Sequence, residues 1–278
     1  MIDLHTHTKC SDGDKTPAEL VRLCRQEHVS IVGITDHDTV AGVSDAMREG
    51  ERIGVQVVPG IEISTAFHGR EVHLLGLMID AQNHRLQSYC VRTAEVRKER
   101  GKKIIARLRE LGIPFTQEEE DASCHSRAKI GMLLVQKGYA ASVRAAFRKY
   151  LGRDGAAFVD KQRIPIREAI EMVHEAKGVA ILAHLITISP VQATAAKAVR
   201  QLLRFGLDGI ECYYGEYTPA YTEFCCQLAQ RYHLARSGGS DYHGDSKKGL
   251  HLGVGYGSLY IPEQVYEELE DFYQHKYG

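Results

Sequence analysis

The chain begins MIDLHTHTKCSDG, which places His5 and His7 two positions apart and Asp12 soon after them. Side chains alternate between the two faces of an extended strand, so both imidazoles would lie on the same side of the chain. Imidazole nitrogens are common ligands of transition-metal ions in proteins. An isolated pair of this kind fits a surface strand about as well as a metal site, so the interpretation depends on further ligands elsewhere.

Further residues of the same chemical types accompany short apolar runs along the chain. One lies in GITDHDT, one follows VQVVPG, one lies in EVHLLG, one closes GVAILAH, and GSDYHG repeats the two-residue spacing of the first pair. The full set of candidate metal ligands is His5, His7, Asp12, His37, Glu62, His73, His184, Asp241 and His243. A single residue of this kind usually caps a turn or satisfies the core. Nine together at predicted strand ends indicate a metal site at the carboxyl-terminal rim of a parallel barrel.

The elements that would position these ligands alternate between short strands and amphipathic helices. Strand-like runs such as VSIVGITD, GVQVVPGIEIS, EVHLLGLMI, GVAILAH, LDGIECYY and HLARSGGSD are separated by helical patterns. In TPAELVRLCRQEH, Thr16 can cap a helix and Pro17 can occupy its first position. Alternation of this kind predicts an α/β fold with a parallel sheet, open or closed. A length of 278 residues fits one barrel that carries an insertion.

One segment departs from this alternation and has only helical periodicity. We expect a barrel formed by residues 1–85 and 164–278, and a helical insertion of residues 86–163. Between Arg85 and Arg163 there are 18 Lys and Arg against 9 Asp and Glu, whereas the remainder of the chain is acidic. Most of these cations would lie on solvated helix faces, but a few facing inward would attract and bind an anionic substrate. The segment lacks the interleaved aromatic residues of a long single-strand channel, which favours a nucleotide or short oligonucleotide.

The overall composition narrows the classes of protein further. Hydrophobic residues make up 44% of the chain and charged residues 26%, with no apolar run long enough for a bilayer and no signal-peptide pattern at the start. We therefore expect a cytoplasmic protein that binds neither membranes nor duplex DNA. Seven cysteines without a C-x-x-C pair indicate neither a disulfide framework nor a zinc ribbon. The sequence leaves the oligomeric state open and is compatible with a monomer.

The ordered motifs H-x-H, T-D-H, P-G-x-E, A-H and G-S-D-x-H resemble those of the PHP (polymerase and histidinol phosphatase) domain family. Within it, the chain is most similar to metal-dependent phosphoesterases with a helical insertion, the group of 3',5'-nucleoside bisphosphate phosphatase and the RNA 5'-end exonuclease. The resemblance covers essentially the whole chain. It implies a distorted seven-stranded (β/α) barrel with a site for three metal ions.

The resemblance also implies how the ligands are shared among three ions. The first ion would be bound by His5, His7, Glu62 and Asp241, the second by Glu62, His73 and His184, and the third by Asp12, His37 and His243. The catalytic residues would be Glu62, Asp241 and His184. A mixture of imidazole and carboxylate ligands suits Mn, Fe or Zn without selecting one of them. Asp36 and Asp38, which flank His37, are expected to orient neighbouring groups rather than to bind metal.

Substrate-binding residues are implied within the insertion. Arg127 in HSRAKIG corresponds to an arginine with which this group binds substrate phosphate, through two parallel hydrogen bonds. Lys129 stands where the group usually has the histidine of G-R-P-H, and Lys161 in FVDK corresponds to another basic position. The chain also has AHLI where A-H-P is usual, so Leu185 replaces a proline after His184.

These observations predict hydrolysis of a phosphomonoester in a nucleoside 3',5'-bisphosphate or at the 5' end of short RNA. Two metal ions that share a hydroxide can drive an in-line displacement at phosphorus without a serine or cysteine nucleophile. A cyclic phosphate dihydrolase acting on a ribose cyclic phosphate is the alternative within the family. A non-catalytic metal-binding module is the alternative of another class, although the ligand set is intact and no polymerase sequence is present. An amidohydrolase-type reaction at carbon would not need Arg127 or the basic insertion.

Overall fold

The computed structural model describes residues 1–278, which form two compact units. The first unit consists of Met1–Ser88 and Arg163–Gly278, and the second consists of Tyr89–Gln162. None of the helices combines the length and the apolar composition needed to cross a bilayer.

A nearly closed sheet forms the centre of the first unit. Its strands are β1 (Ile2–Thr6), β2 (Ile31–Ile34), β3 (Gln56–Phe67), β4 (Arg70–Leu77), β5 (Ile164–Pro165), β6 (Val179–Leu182), β7 (Gly209–Tyr214) and β8 (Ala235–Gly239). Seven strands follow the order β1, β2, β3, β4, β6, β7, β8, while the two-residue β5 pairs with β3. The chain after β8 returns to β1, where the amide of Asp241 donates to the His5 carbonyl at 2.9 Å. The predicted distorted seven-stranded barrel is confirmed.

One strand breaks the parallel arrangement that the alternating pattern predicts. β4 follows β3 through a two-residue turn at His68 and Gly69, whose φ angles are 48° and 73°. Two successive residues with positive φ make the turn that best matches the twist of a β-hairpin. β4 therefore pairs antiparallel with both β3 and β6. The expectation of an all-parallel sheet is wrong here, and His73 lies in the first half of its strand rather than near its end.

Ten α-helices accompany the strands. They are α1 (Pro17–Gln26), α2 (Val43–Ile53), α3 (His84–Glu110), α4 (Gln117–Ser123), α5 (Arg127–Gln136), α6 (Val143–Ala146), α7 (Ile166–Glu175), α8 (Gln192–Leu203), α9 (Pro219–Tyr232) and α10 (Gln264–Tyr277). The start of α1 is as predicted: Thr16 accepts a hydrogen bond from the amide of Glu19, whose carboxylate accepts one from the amide of Thr16. Such a reciprocal cap satisfies two amides that the helix itself leaves unpaired.

The barrel interior is filled from several strands and covered by the last helix. Fully buried aliphatic side chains from β1, β4 and β6 meet there, among them Leu4, Leu75 and Ile181, and Val265 and Leu269 of α10 pack against them. Burying each such side chain contributes roughly 1.5–3 kcal/mol to the free energy of folding. The strands are therefore rigid supports for the polar residues near their ends.

The second unit has its own apolar core, built from α3 to α6 and a π-helical turn over Phe147–Leu151. Ile104, Ile105 and Leu108 of α3 supply one side of it. α3 passes so close to the end of α4 that a Cβ atom at Gly101 would lie 1.7 Å from the Cys124 carbonyl oxygen, so no other residue fits without displacing the backbone. The helical prediction is correct, and Gly138, with a φ of 78°, lies just beyond the end of α5.

Candidate metal centre

Glu62 of β3 is the centre of the site. Its buried carboxylate lies close to imidazole nitrogens of five histidines that come from four separate segments of the chain. The distances are 3.4 Å to His5, 3.2 Å to His7, 2.8 Å to His37, 2.8 Å to His73 and 2.9 Å to His184. One carboxylate surrounded by so many nitrogen ligands has the arrangement needed to bridge metal ions.

Asp241 is the second carboxylate of this cluster. Its Oδ1 lies 3.1 Å from Nε2 of His7 and 3.6 Å from Nε2 of His5. One potential ligand atom from each of His5, His7, Glu62 and Asp241 lies within 4.8 Å of the others, and all four residues are buried. This group has the membership that the sequence implied for the first ion.

Asp12 forms the outer part of the cluster, on the loop that follows β1. Its carboxylate lies 3.3 Å from Nε2 of His243, 3.9 Å from Nε2 of His37 and 3.9 Å from Nδ1 of His7. These four residues form another compact group of potential ligand atoms. It contains the three residues implied for the third ion and adds His7. The Nδ1 atom of His7 faces Asp12, and its Nε2 atom faces Glu62 and Asp241.

The third group of potential ligand atoms differs from the set that the resemblance implied for the second ion. His37, Glu62 and His73 have ligand atoms within 4.8 Å of one another, whereas the expected partners were Glu62, His73 and His184. His184 nevertheless reaches Glu62 through Nε2, as given above. The structure therefore brings all nine candidate ligands together, but how they divide among individual ions stays a prediction.

Unpaired polar atoms test whether these residues suit metal ions. Six buried side-chain atoms of the cluster have no hydrogen-bond partner: His5 Nε2, His7 Nδ1, His7 Nε2, Asp12 Oδ1, His37 Nδ1 and Glu62 Oε2. Buried polar atoms are nearly always satisfied in folded proteins, so several in one place indicate a missing partner. Nitrogen and oxygen atoms of this kind are ligands for divalent transition metals, and the donor set fits such ions.

The electrostatics of the cluster couple its carboxylates to its imidazoles. Burial alone would lower the pKa of His7 and His73, but the carboxylates of Glu62 and Asp241 at His7, and of Glu62 at His73, outweigh it and raise these pKa values to about 9 and about 10. Against the opposing effect of burial, neighbouring imidazoles hold the pKa of both carboxylates well below the usual range, with His37 the largest lowering influence at Glu62 and His5 at Asp241. A divalent ion that binds here would replace imidazole protons.

Glu211 on β7 is a residue that the sequence patterns did not identify. It is fully buried, its Oε1 lies 2.9 Å from Nδ1 of His5, and its Oε2 accepts a 2.6 Å hydrogen bond from the amide of His184. A carboxylate on the far nitrogen of a ligating imidazole fixes the ring's orientation and its tautomer. Glu211 thus orients two candidate ligands, His5 and His184, that lie far apart in the sequence.

Asp241 has two further partners that were also missed. Lys247 Nζ lies 2.5 Å from its Oδ2, and the Tyr214 hydroxyl donates to the same oxygen at 3.2 Å. Both leave Oδ1 directed at His5 and His7. Neither Lys247 nor Tyr214 belongs to a motif with metal-ligand spacing, so only the folded structure brings them to the site.

Asp36 and Asp38 organise loops around the site. Asp36 accepts hydrogen bonds from the amide and hydroxyl of Thr8 at 2.7 and 2.6 Å and from the Ser11 hydroxyl at 2.5 Å. Asp38 accepts one from the amide of Ser64 at 2.7 Å. Asp36 therefore fixes the segment that carries His7 and Asp12.

Three residues at the site have a positive φ although none is glycine. The φ angles are 54° at Asp38, 26° at His184 and 59° at Asp241. Asp tolerates this region better than most residues, but each such conformation costs free energy and persists only where surrounding contacts enforce it. The hydrogen bond from the His184 amide to Glu211 and that from the Asp241 amide to the His5 carbonyl are such contacts.

The candidate substrate-binding residues all lie in the second unit. Arg127 is the first residue of α5, donates to the Leu151 carbonyl at 3.3 Å and lies 5.4 Å above the ring of Phe147. Lys129 is exposed on the same helix, and Lys161 is half-buried. Their proposed contacts with substrate stay a prediction.

Comparison with protein families agrees with the motifs. A family model described as PHP domain matches residues 3–176 of the chain. A 5'-3' exoribonuclease of Haemophilus influenzae is 32% identical over 244 residues, which are 87% of this chain and 89% of the relative.

Two further relatives have other names. A phosphoribosyl 1,2-cyclic phosphate 1,2-diphosphodiesterase of Eggerthella lenta is 34% identical over 90% of this chain and 97% of its own length. A 3',5'-nucleoside bisphosphate phosphatase of Chromobacterium violaceum is 28% identical over 97% of this chain and 96% of its own. A solved structure from Bifidobacterium adolescentis, described as a metal-dependent phosphoesterase, superposes with a TM-score of 0.85 at 27% identity, covering 97% of this chain and 95% of the other.

Proposed function

The chain belongs to the PHP domain family, and from that premise we propose that it releases phosphate from a small nucleotide bearing a phosphomonoester. The substrate would be a nucleoside 3',5'-bisphosphate or the 5' end of a short RNA. The observation that carries the proposal is the Glu62 carboxylate within 3.4 Å of five imidazoles. The relatives from Haemophilus influenzae and Chromobacterium violaceum support this substrate class by their names.

The enzyme is a metal-dependent phosphoesterase, and we propose that it uses three ions of Mn, Fe or Zn. Their ligands would be Glu62, Asp241 and the seven candidate residues around them, and Glu62 would be shared between ions. When bound, such ions activate water for attack on phosphorus and offset negative charge on the phosphoryl oxygens. The unpaired buried nitrogens and oxygens of the cluster support the proposal, since they would otherwise destabilise the fold.

The chain's own residues have separable tasks in this proposal. Glu62 and Asp241 supply the negative charge that concentrates cations, while Glu211 holds His5 and the backbone of His184 in one orientation. Lys247 neutralises the outer oxygen of Asp241 and so fixes which oxygen faces the cluster. Arg127 would bind the phosphate that is not hydrolysed, because its planar guanidinium donates two parallel hydrogen bonds to phosphate.

A ribose cyclic phosphate is a second candidate substrate, and a specific observation favours it. The relative from Eggerthella lenta, named for action on a phosphoribosyl cyclic phosphate, is 34% identical over 90% of this chain. The chain also departs from the bisphosphatase pattern at Lys129 and Leu185. A non-catalytic module is disfavoured, because all nine candidate ligands are present in the chain and lie in one place.

A panel of substrates distinguishes these candidates. The Mn-loaded enzyme would be assayed with a nucleoside 3',5'-bisphosphate, AMP, a 5'-phosphorylated RNA trimer and a ribose 1,2-cyclic phosphate, with kcat/KM measured for each. We expect kcat/KM for the bisphosphate or the RNA to exceed that for AMP by at least about tenfold, which corresponds to one additional phosphate contact. A cyclic phosphate that exceeds both would replace the leading proposal with the second, and phosphate release from none of the four would refute both.

A further inference from the structure

Lys247 places a positive charge at the edge of the metal centre. Its Nζ lies 2.5 Å from Oδ2 of Asp241, and Oδ1 of the same carboxylate lies 3.1 Å from Nε2 of His7. One carboxylate group therefore separates the ammonium from the candidate ligand atoms. An ammonium has no lone pair, and lysine is protonated at neutral pH, so Lys247 is not itself a metal ligand. A ligand attracted by this charge would instead be an anion.

The loop that carries Lys247 is fixed against the segment that follows β1. The amide of Asp245 donates to Oδ2 of Asp14 at 3.1 Å. Gly244 has a φ of 70°, and a Cβ atom there would lie 1.8 Å from Oδ1 of Asp14, so only glycine permits this close approach. The same segment carries Asp12, another candidate ligand. Lys247 is therefore held next to the centre by its own loop as well as by its ion pair.

The ammonium retains donors for a ligand. It has three N–H groups, and Asp241 is their hydrogen-bond acceptor in the protein. The side chain of Lys247 is 32% exposed, so a solute can reach the remaining donors. The Tyr214 hydroxyl also donates to Oδ2 of Asp241, at 3.2 Å. That oxygen would therefore keep a hydrogen bond if the ammonium turned towards an anion.

A phosphate ester has the charge and the position that suit this ammonium. A phosphomonoester carries roughly 1.5 to 2 negative charges at pH 7. An ammonium binds phosphate oxygens as a compact point charge, without the planar geometry that arginine imposes. Asp241 lies in one group of potential ligand atoms with His5, His7 and Glu62. The phosphate nearest to Lys247 would therefore be the reacting one.

We propose that Lys247 is a substrate-binding residue, which donates to a non-bridging oxygen of the phosphoryl group that is hydrolysed. The inference rests on the proposed function, because it takes the metal centre to accept phosphate esters. The ion pair with Asp241 is the arrangement without substrate, and the free N–H groups of the ammonium bind the incoming phosphate. Arg127 would contact only substrates with a second phosphate, whereas Lys247 would contact every phosphate ester and the inorganic phosphate that is released.

The test measures binding of inorganic phosphate to the full-length protein at saturating Mn²⁺, by equilibrium dialysis with radiolabelled phosphate. Lys247→Met keeps the length of the side chain and removes its charge. We expect this variant and Lys247→Ala to bind phosphate at least about tenfold more weakly than the wild type, as loss of a hydrogen bond to a charged group predicts. Lys247→Arg should retain part of the affinity, since it keeps the charge.

The kinetic counterpart of this loss is the same for substrates with one and with two phosphates. In Lys247→Ala, kcat/KM for p-nitrophenyl phosphate and for a nucleoside bisphosphate should fall by similar factors of about tenfold or more. The adjacent Lys248 is exposed on the same loop and provides the matched control. Lys248→Ala should bind phosphate and hydrolyse both substrates as the wild type does. An equal loss in this variant would indicate general attraction of anions and overturn the contact assigned to Lys247.

A titration with Mn²⁺ separates phosphate binding from a structural role of Lys247. If Lys247 only positioned Asp241, its variants would lose Mn²⁺ affinity and bind phosphate normally at saturating Mn²⁺, which would overturn the proposal. Failure of the Mn-saturated wild type to bind phosphate would overturn it as well. Thermal unfolding checks that each variant is folded. Phosphate binding that depends on Lys247, without hydrolysis of any substrate in the panel, would refute the proposed function and leave Lys247 as a phosphate ligand.

Discussion

The barrel and the insertion present their functional residues in opposite ways. At the metal centre, each candidate ligand comes from a strand or the loop after it. Glu211 holds His5 and the His184 backbone, Lys247 holds Asp241, and Asp36 holds the loop after β1. In the insertion, the basic residues lie mainly on exposed helix faces, and Arg127 is bound locally by one carbonyl and one ring. Chemistry that needs fixed distances is built on the rigid part, and long-range attraction needs only charge of the right sign.

The largest expected effect on activity is at Glu62, because this residue has the most close contacts in the buried metal centre. Glu62→Gln removes the charge next to five imidazoles while keeping the shape of the side chain. If the transition state loses several kcal/mol of stabilisation, kcat should fall on the order of 10³-fold or more. Elemental analysis should find about three transition-metal ions per wild-type chain, since the ligands form three groups, and fewer in the variant.

The exposed Glu267 on α10 provides the control for this substitution, and Glu267→Gln should retain both metal and activity. A single ion per carefully loaded wild-type chain would contradict the proposed stoichiometry. Near-normal turnover by a folded Glu62→Gln variant would remove Glu62 from the site.

A smaller effect is expected at Glu211, which acts through His5 and His184. Glu211→Gln replaces one carboxylate oxygen with an amide, so either the His5 ring or the His184 amide loses its acceptor. Substitutions of such supporting groups typically weaken metal binding by about 10- to 100-fold. Titration of the metal-free variant with Mn²⁺ should show this loss, and excess Mn²⁺ should restore most of kcat.

Rescue by excess metal separates a positioning residue from one required only for folding. The exposed Glu223→Gln variant on α9 should bind Mn²⁺ as the wild type does. If excess Mn²⁺ leaves kcat of Glu211→Gln low, Glu211 is not simply orienting metal ligands.

The smallest effect is expected in the insertion. Arg127→Ala should lose a bidentate, charge-assisted contact worth roughly 1.5–3 kcal/mol, or about tenfold or more in kcat/KM for a bisphosphate. p-Nitrophenyl phosphate has no second phosphate and should be hydrolysed at a nearly unchanged rate. Arg127→Lys should recover only part of the loss, because an ammonium group lacks the planar fork.

Arg148→Ala is the matched control for a basic side chain that is exposed in the same unit. It should affect neither substrate, whereas equal losses on both substrates for Arg127→Ala would place Arg127 at the reacting phosphoryl group or in the fold. No loss on either would show that the insertion does not bind phosphate through Arg127.

The sequence identified the nine candidate ligands, which the structure brings together, because their chemistry is rare and their spacing local; that they bind metal stays a prediction. His5 and His7 lie two apart on one strand, and Asp241 and His243 repeat that spacing after another. The antiparallel β4 was missed because two residues, His68 and Gly69, turn the chain where a helix was expected. A short turn of this kind is a weak signal beside the strong alternation of strands and helices in the rest of the barrel.

The supporting residues could not have been found in the same way. Glu211 meets His5 across 206 positions of sequence, and nothing near Glu211 resembles a ligand motif. The grouping of His37 with His73 likewise depends on β3, which lies between β2 and β4 and carries Glu62 beside both histidines. Contacts between distant segments are set by packing of the whole barrel, which local patterns do not encode.

Because the sheet closes between β8 and β1, the metal centre can assemble only after the ribosome has synthesised β8 and the residues that follow it. Its candidate ligands run from His5 to His243, and the hydrogen bonds from Asp241 and His7 that join the two ends need the last quarter of the chain. While the ribosome is still making β7, the histidines of β1 have neither Asp241 nor the closing strand. Pairing of segments so far apart in sequence is slow to form. The nascent protein therefore carries its first metal ligands through most of translation before it can assemble the complete centre.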